Sequence, residues 1–528
     1  MDFIKFVRIV ILCSSLCESS KILVTPVDAG YNSRLKNMIQ IGKLLMNAGH
    51  EVTLLFSDQL EVDALYKLAE TNTMNKTFNV IHYKKPPVDP SKDMDTLNQD
   101  WLKGMMKKNG VDALEYISSV FDVIISYPLE DDIVWKRIST ANFDLIVSDE
   151  NVYYSRIVAA SFDVPLILYS NWGPMTFGAN LVQRFNLALV PAFVEPYSDA
   201  LSFSERVYNV WQYYKLLRVN ENIFSKSIGL CRQHGYGEAC DNIKDAEKTV
   251  SLIFMNRNDV LHYPLPLMPH VISLEGFFLE TPKSLGHQYK DIIERAGKNG
   301  IIVVSFGSMF RKLWPELRTI FAKAFAAMPQ TVIWSYEGPT PEGIGKNTYV
   351  SKWIPQESLL NHPATKVFVT QCGASSSFQA LHYAVPVVGV PFFWDQPYYC
   401  QKLTERVKAG QTVHLEGITS EKLKRAMEEV IKNKTYKENA AKAAAIYHDQ
   451  PIPPKDKVVY WAEYVIRHKG APHLRSQGAN ALNFFQYFLL DITALVAAII
   501  VAMAIILIII VKKSISIFSR NFKKNKRD

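Results

Sequence analysis

Apolar residues in the first half of the chain recur with two periods, one typical of strands and one typical of helices. Lys21 to Pro26 and Glu51 to Phe56 are short β-rich runs, and Lys36 to Ala48 between them has apolar residues at helical spacing. This order predicts a βαβ unit, the start of a doubly wound parallel sheet. Further strands are predicted at Phe143 to Val147 and at Pro165 to Tyr169.

The same alternation restarts at Gly300, after a proline-rich stretch at 264–282 that favours a linker. We therefore predict an α/β fold with two doubly wound domains. The elements predicted in the second domain are a strand at Ile301 to Val304, a helix that ends at Ala327, and strands at Thr331 to Trp334, Lys366 to Thr370 and Val385 to Val390.

The N-terminus has the pattern of a secretory signal peptide. Lys5 and Arg8 precede the apolar run Ile9 to Leu16, and small residues follow. A buried first strand is the alternative, but Lys21 begins a better one. We therefore expect cleavage near residues 17 to 20.

A second apolar segment, near the C-terminus, is long enough to cross a membrane. Ile492 to Val511 contains 20 residues of which only Thr493 is polar, and two lysines follow at once. At about 1.5 Å per residue, such a helix spans a hydrocarbon core of about 30 Å. Apolarity on all faces over this length argues against a buried core helix. The positive-inside rule then puts the basic tail in the cytosol and residues 21–491 in a lumen.

Length and these patterns divide the chain into seven predicted segments. A chain of 528 residues is too long for one core and favours two large domains. The segments are a signal peptide (1–20), an N-terminal domain (21–275), a linker (276–294), a C-terminal domain (295–450), a helical return and juxtamembrane segment (451–491), a transmembrane helix (492–511) and a cytosolic tail (512–528).

Composition and charge argue against nucleic acid as a partner. Hydrophobic residues make up 48% and charged residues 21%, as in globular protein with some membrane sequence added. The formal net charge is +8, but the last 17 residues hold seven basic groups against one acid. The rest of the chain is close to neutral, which gives nucleic-acid binding no support.

Short features fit a chain whose bulk lies in the lumen of the endoplasmic reticulum. Asn75 and Asn433 begin Asn-Lys-Thr glycosylation sequons. Lysines stand third and fifth from the C-terminus, which resembles a dilysine retrieval signal, with a generic basic flank as the alternative. Cys231 and Cys240 are near enough in sequence to pair, but spacing alone leaves the pairing open. We predict a single-pass type I protein of the endoplasmic reticulum membrane.

The second domain has polar loops at the ends of successive predicted strands, namely Trp353 to Gln356, Thr370 to Ser377 and Pro391 to Gln396. In a doubly wound sheet, ligands bind outside the carboxyl ends of the strands. The Gly-Ala-Ser-Ser-Ser segment that opens a helix offers backbone N–H groups, a positive dipole and hydroxyls to phosphate oxygens. The tryptophan offers a face for base stacking, and the terminal Asp-Gln pair can bind sugar hydroxyls.

Each of these features alone has an ordinary structural explanation, because serine-rich helix starts are usually caps and Asp-Gln pairs usually lie on the surface. Their combination at these spacings predicts a nucleotide-sugar site. A dehydrogenase is disfavoured, since Gly235 and Gly237 lack the third glycine of a dinucleotide motif and a βαβ setting. Cys372 and Cys400 lack the partner spacing of a zinc site.

The segment from Trp353 to Gln396 resembles the signature of the UDP-glucuronosyltransferase and UDP-glucosyltransferase family. The resemblance covers nearly the whole chain, including Gly49 to Val52, Ser305 to Met309, the anchor and the basic tail. It implies the GT-B fold, with two Rossmann-like domains facing each other across a cleft, followed by a transmembrane helix. It also implies transfer, with inversion, from a UDP-sugar in the C-terminal domain to a small lipophilic acceptor in the N-terminal domain.

The resemblance implies no metal and no other cofactor, because dipoles and side chains stabilise the leaving UDP. It also assigns roles to individual residues of the C-terminal domain. It places Trp353 and Gln356 at the uracil, Ser308, Gly373 and Ser376 at the diphosphate, and Asp395 and Gln396 at the sugar.

Two positions of this site depart from the family pattern, and each departure removes a charge. Gln371 replaces the phosphate-loop histidine, and its amide donates a hydrogen bond without bringing positive charge to the leaving diphosphate. Gln379 replaces the ribose-binding glutamate and keeps one acceptor. Either change costs about 1–3 kcal/mol if the lost hydrogen bond is charged and buried.

The place of the family's catalytic base also departs from the pattern. In the family, a histidine deprotonates the acceptor and an aspartate orients that histidine; here Arg34 replaces the histidine, and Asp149 is the aspartate. Arginine does not act as a base at neutral pH. Asp149 is expected either to pair with Arg34 or to act as a weak base itself, and Asp28 is another candidate carboxylate. Loss of a general base slows turnover by about 10²–10⁴-fold.

Two functional classes follow from the sequence. The first is an active inverting glycosyltransferase, for which amine or carboxylate acceptors would need the base least. The second is a catalytically impaired homologue that binds UDP-sugar or a lipophile, or that partners an active paralogue in the membrane. A receptor with an α/β ectodomain is disfavoured because the donor loop is well preserved. The sequence does not distinguish a monomer from a homo- or hetero-oligomer, and it names neither the acceptor nor the donor sugar.

Overall fold

The computed structural model divides the chain into two compact units, residues 1–472 and residues 473–528. The predictions for residues 1–18, Asp28, Asn75 and Ser308 lie outside the residues that the structure describes. The described residues are 19–27, 32–58, 77–84, 104, 111–112, 115, 131–173, 186–191, 195–233, 240, 250–307 and 310–524.

The first sheet is built from β1 (Lys21–Thr25), β2 (Glu51–Ser57), β3 (Asn79–Tyr83), β4 (Leu145–Asp149), β5 (Leu166–Ser170), β6 (Val250–Met255) and β7 (Val271–Ser273). The strands are parallel and lie in the order β3-β2-β1-β4-β5-β6-β7. Val24 of β1 pairs with Leu54 on one side and with Val147 on the other. The strand order reverses beside β1, so the crevice at the carboxyl ends of β1 and β4 is the expected ligand site.

The second sheet is built from β8 (Ile301–Ser305), β9 (Thr331–Ser335), β10 (Thr348–Ser351), β11 (Thr365–Thr370), β12 (Val387–Gly389) and β13 (Gly410–Thr412). These strands are also parallel, in the order β10-β9-β8-β11-β12-β13. All residues of β8 are buried, as expected for a parallel sheet covered on both faces. The strand order reverses between β8 and β11, which carry the predicted phosphate loops at their carboxyl ends.

Helices connect these strands and pack on the sheets. The last helix of the first unit packs on the first helix and on strands β4 and β6, so the chain returns to the first sheet. The helices are α1 (Asn32–Asn47), α2 (Asp132–Ala141), α3 (Tyr154–Phe162), α4 (Phe203–Gln233), α5 (His287–Ala296), α6 (Pro315–Ala326), α7 (Gln356–Leu360), α8 (Ala374–His382), α9 (Gln396–Gln401, continued by a π-helical turn Lys402–Arg406), α10 (Ser420–Lys432), α11 (Lys434–His448) and α12 (Pro454–Arg467).

The predicted α/β class with two doubly wound sheets is confirmed, and two predicted boundaries are wrong in ways that matter for the site. Helix α1 begins at Asn32 instead of Lys36, because its first turn is polar and gives no hydrophobic period. Strand β4 ends at Asp149 instead of Val147, so this aspartate is the last strand residue. Phe143 lies before the strand, which begins at Leu145. The side chain of Asp144 accepts a hydrogen bond from the backbone N–H of Lys21 at 2.8 Å.

The second unit consists of α13 (Gln477–Ala481), α14 (Phe484–Tyr487) and α15 (Leu490–Lys524). Among the described residues, α15 is the one helix long and apolar enough to cross a membrane. It contains the predicted span 492–511 and continues beyond Lys512 and Lys513, because basic residues with unbranched side chains are good helix formers.

Cys231 at the end of α4 forms a disulfide with Cys240, which makes the pairing that the sequence leaves open. Both cysteines are fully buried. Cys372 and Cys400 are buried thiols. Within the described part of the chain, no group of three His, Cys, Asp or Glu side chains is placed to hold a metal ion.

Candidate functional site

A cavity of about 640 Å³ lies between the two sheets, beyond the ends of β5, β8 and β11. Arg34 of α1 lines it from the side of the first sheet, whereas Asp149 lies behind this arginine and is not a lining residue. All eight described residues that the sequence predicts for nucleotide-sugar binding line the cavity: Trp353, Gln356, Gln371, Gly373, Ser376, Gln379, Asp395 and Gln396.

The start of helix α8 forms one wall of this cavity. Gly373 is the N-cap residue and has no side chain to cap the helix, and the first backbone N–H, that of Ala374, donates to Asp395 Oδ2. The preceding Cys372 has a φ of 61°, a left-handed conformation that turns the chain sharply from β11 into the helix. A helix start of this kind presents backbone N–H groups and the positive end of the helix dipole, which suits a phosphate group.

Gln371 lies between two glycine loops of the second sheet. Its Oε1 accepts a hydrogen bond from Thr370 Oγ1 at 3.1 Å. Its Nε2 is so close to Gly307 and Gly373 that a Cβ on Gly307 would clash with it and a Cβ on Gly373 would lie 3.2 Å away. The amide nitrogen is therefore the group of Gln371 that faces the glycines, and it offers a neutral donor at this point.

Gln356 and Gln379 touch each other across the cavity wall. Gln356 Nε2 donates a hydrogen bond to Gln379 Oε1 and lies 3.5 Å from Ser376 Oγ. Gln379 Nε2 in turn donates to Glu357 Oε1 at 3.1 Å. Gln356 thus donates to Gln379 and Gln379 donates to Glu357, so the two amides form one chain of hydrogen bonds that ends at a carboxylate.

Asp395 and Gln396 form the wall next to the helix start. Asp395 Oδ2 accepts a hydrogen bond from the backbone N–H of Ala374 at 3.2 Å. Burial raises the pKa of Asp395 to about 6, while that hydrogen bond and the charge of Arg34 act in the opposite direction. Gln396 Oε1 accepts from the backbone N–H of Phe392 at 2.9 Å, which holds the loop and leaves the amide nitrogen as the group that can serve a ligand.

The ring of Trp353 lies at the mouth of the cavity and is 60% exposed. Its backbone carbonyl accepts hydrogen bonds from Ser351 Oγ at 2.8 Å and from Tyr289 OH at 3.2 Å, which fix the backbone under the ring. Lys36 Nζ of α1 lies 4.1 Å from the ring centre. Burial lowers the pKa of Lys36, and the nearby carboxylates Glu357 and Glu280 oppose that effect.

Arg34 and Asp149 form a buried ion pair beneath the cavity. Arg34 Nε donates to Asp149 Oδ2 at 2.8 Å, and Nη2 donates to Oδ1, so the contact is bidentate. Glu150 Oε1 lies 3.7 Å from the same Nη2, and the guanidinium stacks 4.3 Å from the ring centre of Trp172. Of the two possibilities left open for Asp149, pairing with Arg34 is the one that the structure contains.

Several residues on the first sheet's side line the cavity but are not among those predicted from sequence, namely Lys36, Asn37, Asn171 and Trp172. Asn37 Nδ2 donates to Asn171 Oδ1 at 2.8 Å and to Tyr169 OH at 3.0 Å, which fixes the loop after β5. A signal for this face exists in the sequence. Polar residues at positions 33, 36, 37, 40 and 43 recur at helical spacing in a helix whose other residues are mostly apolar.

Comparisons with known proteins agree with this geometry. The family model of UDP-glucoronosyl and UDP-glucosyl transferase matches residues 20–528. UDP-glucuronosyltransferase 2B7 of Homo sapiens is 30% identical over 99% of this chain and 100% of its own length. UDP-glucuronosyltransferase 1A1 of Mus musculus is 30% identical over 93% of this chain and 90% of its own length.

Solved glycosyltransferase structures share the fold. CalG4, the calicheamicin glycosyltransferase, superimposes with a TM-score of 0.58 at 16% identity, over 85% of this chain and 99% of its own. Os79 from O. sativa gives a TM-score of 0.55 at 14% identity, over 84% and 99%. These likenesses identify the two facing sheets as the GT-B fold. Because the family model matches residues 20–528, nearly the whole of this chain, the chain belongs to the UDP-glucoronosyl and UDP-glucosyl transferase family.

Proposed function

We propose that the cavity binds a UDP-sugar and that the protein transfers the sugar, with inversion, to a small lipophilic acceptor. The observation that supports this most directly is the convergence of eight residues from three separate loops, all predicted for one donor, on one cavity. The relatives matched over nearly their whole length are named as transferases, which favours turnover over binding without catalysis.

The donor would lie along the wall formed by the second sheet. Trp353 and Gln356 would hold the uracil, Gln379 the ribose, and the α8 start with Gly373 and Ser376 the diphosphate. Gln371 would donate a neutral hydrogen bond to the departing diphosphate. Asp395 and Gln396 would hold the sugar. We propose that no metal or other cofactor takes part, because the helix dipole and these donors stabilise the charge of the leaving UDP.

The Arg34–Asp149 pair supports a proposal about the acceptor. A guanidinium does not take a proton at neutral pH, and both oxygens of Asp149 are engaged by Arg34. An acceptor that needs no deprotonation before attack, such as an amine or a carboxylate, would therefore react best. Its lone pair would bond to the anomeric carbon as the bond from that carbon to the UDP oxygen breaks, and UDP would keep the electron pair. A neutral amine would then release its extra proton to water, whereas a carboxylate has none to lose.

We further propose that the protein lies in the endoplasmic reticulum membrane as a single-pass type I chain, with both sheets in the lumen. The apolar part of helix α15 supports the anchor, and the basic residues from Lys512 onward support a cytosolic tail. Asn433, the proposed glycosylation site within the described residues, is exposed at the N-cap of α11.

Purified full-length protein in detergent, mixed with single UDP-sugars and with phenol, amine and carboxylate acceptors, tests the enzymatic proposal. We expect UDP release together with a glycoside product that mass spectrometry identifies, fastest with an amine or a carboxylate. The Asp395→Asn variant serves as the control with a damaged sugar site. Binding of UDP without any product across all donors and acceptors would refute catalysis and leave a binding protein.

A further inference from the structure

Glu357 lies in the proposed nucleotide site but has no role in the family pattern described above. It is the second residue of the short helix α7, directly after Gln356, and it lines the same cavity. Its side chain is half-buried. A carboxylate in such a place needs hydrogen-bond partners, since an unpaired buried charge is costly.

Both oxygens of the Glu357 carboxylate are held by donors. Oε1 accepts from Gln379 Nε2 at 3.1 Å. Oε2 accepts from Tyr383 OH at 3.3 Å and from the backbone N–H of Glu280 at 3.2 Å. Three donors from two separate segments, helix α8 with its C-cap and the loop at Glu280, fix this carboxylate in one orientation. Burial raises the pKa of Glu357, and all three hydrogen bonds oppose that effect.

The carboxylate sets the direction of the neighbouring amides. An ionised carboxylate only accepts hydrogen bonds, so Gln379 must turn its NH₂ group toward Glu357 and its carbonyl toward Gln356. Gln356 must then turn its own NH₂ group toward Gln379. The carbonyl oxygen of Gln356 takes no part in this chain of bonds and is the acceptor that a ligand hydroxyl can use. Donation to a charged acceptor also polarises the Gln379 amide, which makes its carbonyl a stronger acceptor.

We propose that Glu357 is a positioning residue of the nucleotide site, which orients the carbonyl oxygens of Gln379 and Gln356 to accept hydrogen bonds from the ribose hydroxyls of UDP. The inference rests on the proposed function, because it assumes that a uridine nucleotide occupies the cavity. Gln379 lacks the negative charge of the family's ribose-binding glutamate. In this arrangement, the neighbouring carboxylate of Glu357 supplies that charge. The site therefore prefers a ribonucleotide to one without ribose hydroxyls.

Glu357→Gln tests this proposal, because the substitution keeps the size of the side chain and removes its acceptor-only character. Calorimetric titration of the full-length protein in detergent with UDP and with 2′,3′-dideoxy-UDP gives a ratio of two dissociation constants. We expect wild type to prefer UDP by about tenfold or more. Glu357→Gln is expected to weaken UDP binding until the ratio approaches one, with little change for the dideoxy nucleotide.

A purely structural role for Glu357 predicts a different outcome. Distortion of the loop would weaken both nucleotides alike and leave the ratio at its wild-type value, which would refute the proposal. Glu280→Gln is the matched control, because it removes a carboxylate from the same cavity that is not bonded to Gln379. It is expected to keep the wild-type ratio.

The double variant Glu357→Gln/Gln379→Glu exchanges the two groups and keeps the net charge. It is expected to restore the preference for UDP, since a carboxylate again lies next to Gln356. If Glu357→Gln does not fold, the double variant still tests the inference. Loss of its preference for UDP over 2′,3′-dideoxy-UDP would contradict the role proposed for the carboxylate. Wild-type protein that binds both nucleotides equally would refute the role of Glu357 alone. Wild-type protein that binds neither would refute the proposed function as well.

Discussion

The ammonium group of Lys36 lies 4.1 Å from the centre of the Trp353 ring, so helix α1 of the first sheet covers part of the aromatic face proposed for the uracil. A cation over an aromatic ring is attracted by the ring's quadrupole. A base stacking on that face must displace the ammonium. The contact thus couples nucleotide binding to the spacing between the two sides of the cleft.

We predict that Lys36→Met binds UDP more tightly than wild type. The gain should be at least about twofold, because a cation–π contact of this kind is worth about 0.5–1 kcal/mol or more and no longer competes with the base. Titration calorimetry with UDP measures the change. Lys43→Met is the matched control, since Lys43 lies on the same helix and lines the same cavity, whereas the cation over the Trp353 ring is Lys36. Weaker binding by Lys36→Met would show instead that Lys36 contacts the nucleotide.

Substitution of Arg34 tests the missing base. Arg34→His places an imidazole beside Asp149, which can orient it as an acceptor-activating base. We expect kcat/KM for a phenol acceptor to rise about 10²-fold, at the lower end of what general-base catalysis supplies. The rate with a carboxylate acceptor, which is already ionised, should change little.

Arg34→Gln separates loss of the guanidinium from gain of a base. It removes the same charge but offers no group that takes a proton at neutral pH. Phenol transfer should stay at the wild-type level or below it. An equal gain in both variants would mean that removal of the positive charge, and not general-base catalysis, accelerates the reaction.

Most of the donor side of the site is predictable from sequence because its residues lie in three contiguous loops. Trp353, Gln371 and Asp395 each lie beyond the end of a parallel strand, and parallel strands place their carboxyl ends at one edge of the sheet. Local pattern and sheet topology are therefore sufficient to bring these residues together. Family resemblance adds the roles but is not needed for the proximity.

The acceptor side is less predictable, because its contacts depend on how the two sheets face each other. Lys36 and Trp353 are more than 300 residues apart in sequence, and no periodicity encodes their contact. Trp394 has a φ of 64°, a left-handed conformation that a tryptophan rarely adopts, and its ring packs 4.9 Å from that of Trp172. Tertiary packing imposes this conformation, so residue type alone would not predict it.

Asp149→Asn should destabilise the protein strongly. The substitution leaves the guanidinium of Arg34, a residue that is only 1% exposed, without its bidentate partner. Breaking a buried pair on one side costs about 3–5 kcal/mol, and Glu150 at 3.7 Å compensates part of it, so we expect about 3 kcal/mol. The midpoint of thermal unfolding should decrease accordingly.

Asp112→Asn provides the comparison for this effect. Lys215 Nζ lies 2.6 Å from Asp112 Oδ1, but both side chains are partly exposed. Exposed pairs contribute about 0–1 kcal/mol, so this variant should unfold near the wild-type temperature. Similar shifts for the two aspartate variants would contradict a special role for the buried pair.

The raised pKa of Asp395 predicts that sugar binding depends on pH. Burial brings this pKa to about 6, so the group is a carboxylate at neutral pH and becomes protonated as the pH falls through 6. A neutral carboxyl group is a weaker acceptor for sugar hydroxyls. The dissociation constant of the UDP-sugar should therefore increase by up to about tenfold at pH 5, relative to that of UDP. UDP lacks the sugar, so the ratio of the two constants isolates the effect of Asp395.

The same shift has a consequence of opposite sign for stability. The ordinary pKa of the group is 3.8, so between about pH 4 and 6 the folded protein holds a proton on Asp395 that the unfolded chain has released. Stability from this group therefore decreases as the pH rises through that window, whereas donor binding improves. Asp395→Asn does not titrate, and it should remove both the pH dependence of the UDP-sugar to UDP ratio and this part of the stability profile. A variant that keeps the wild-type pH dependence of the ratio would assign the effect to another group.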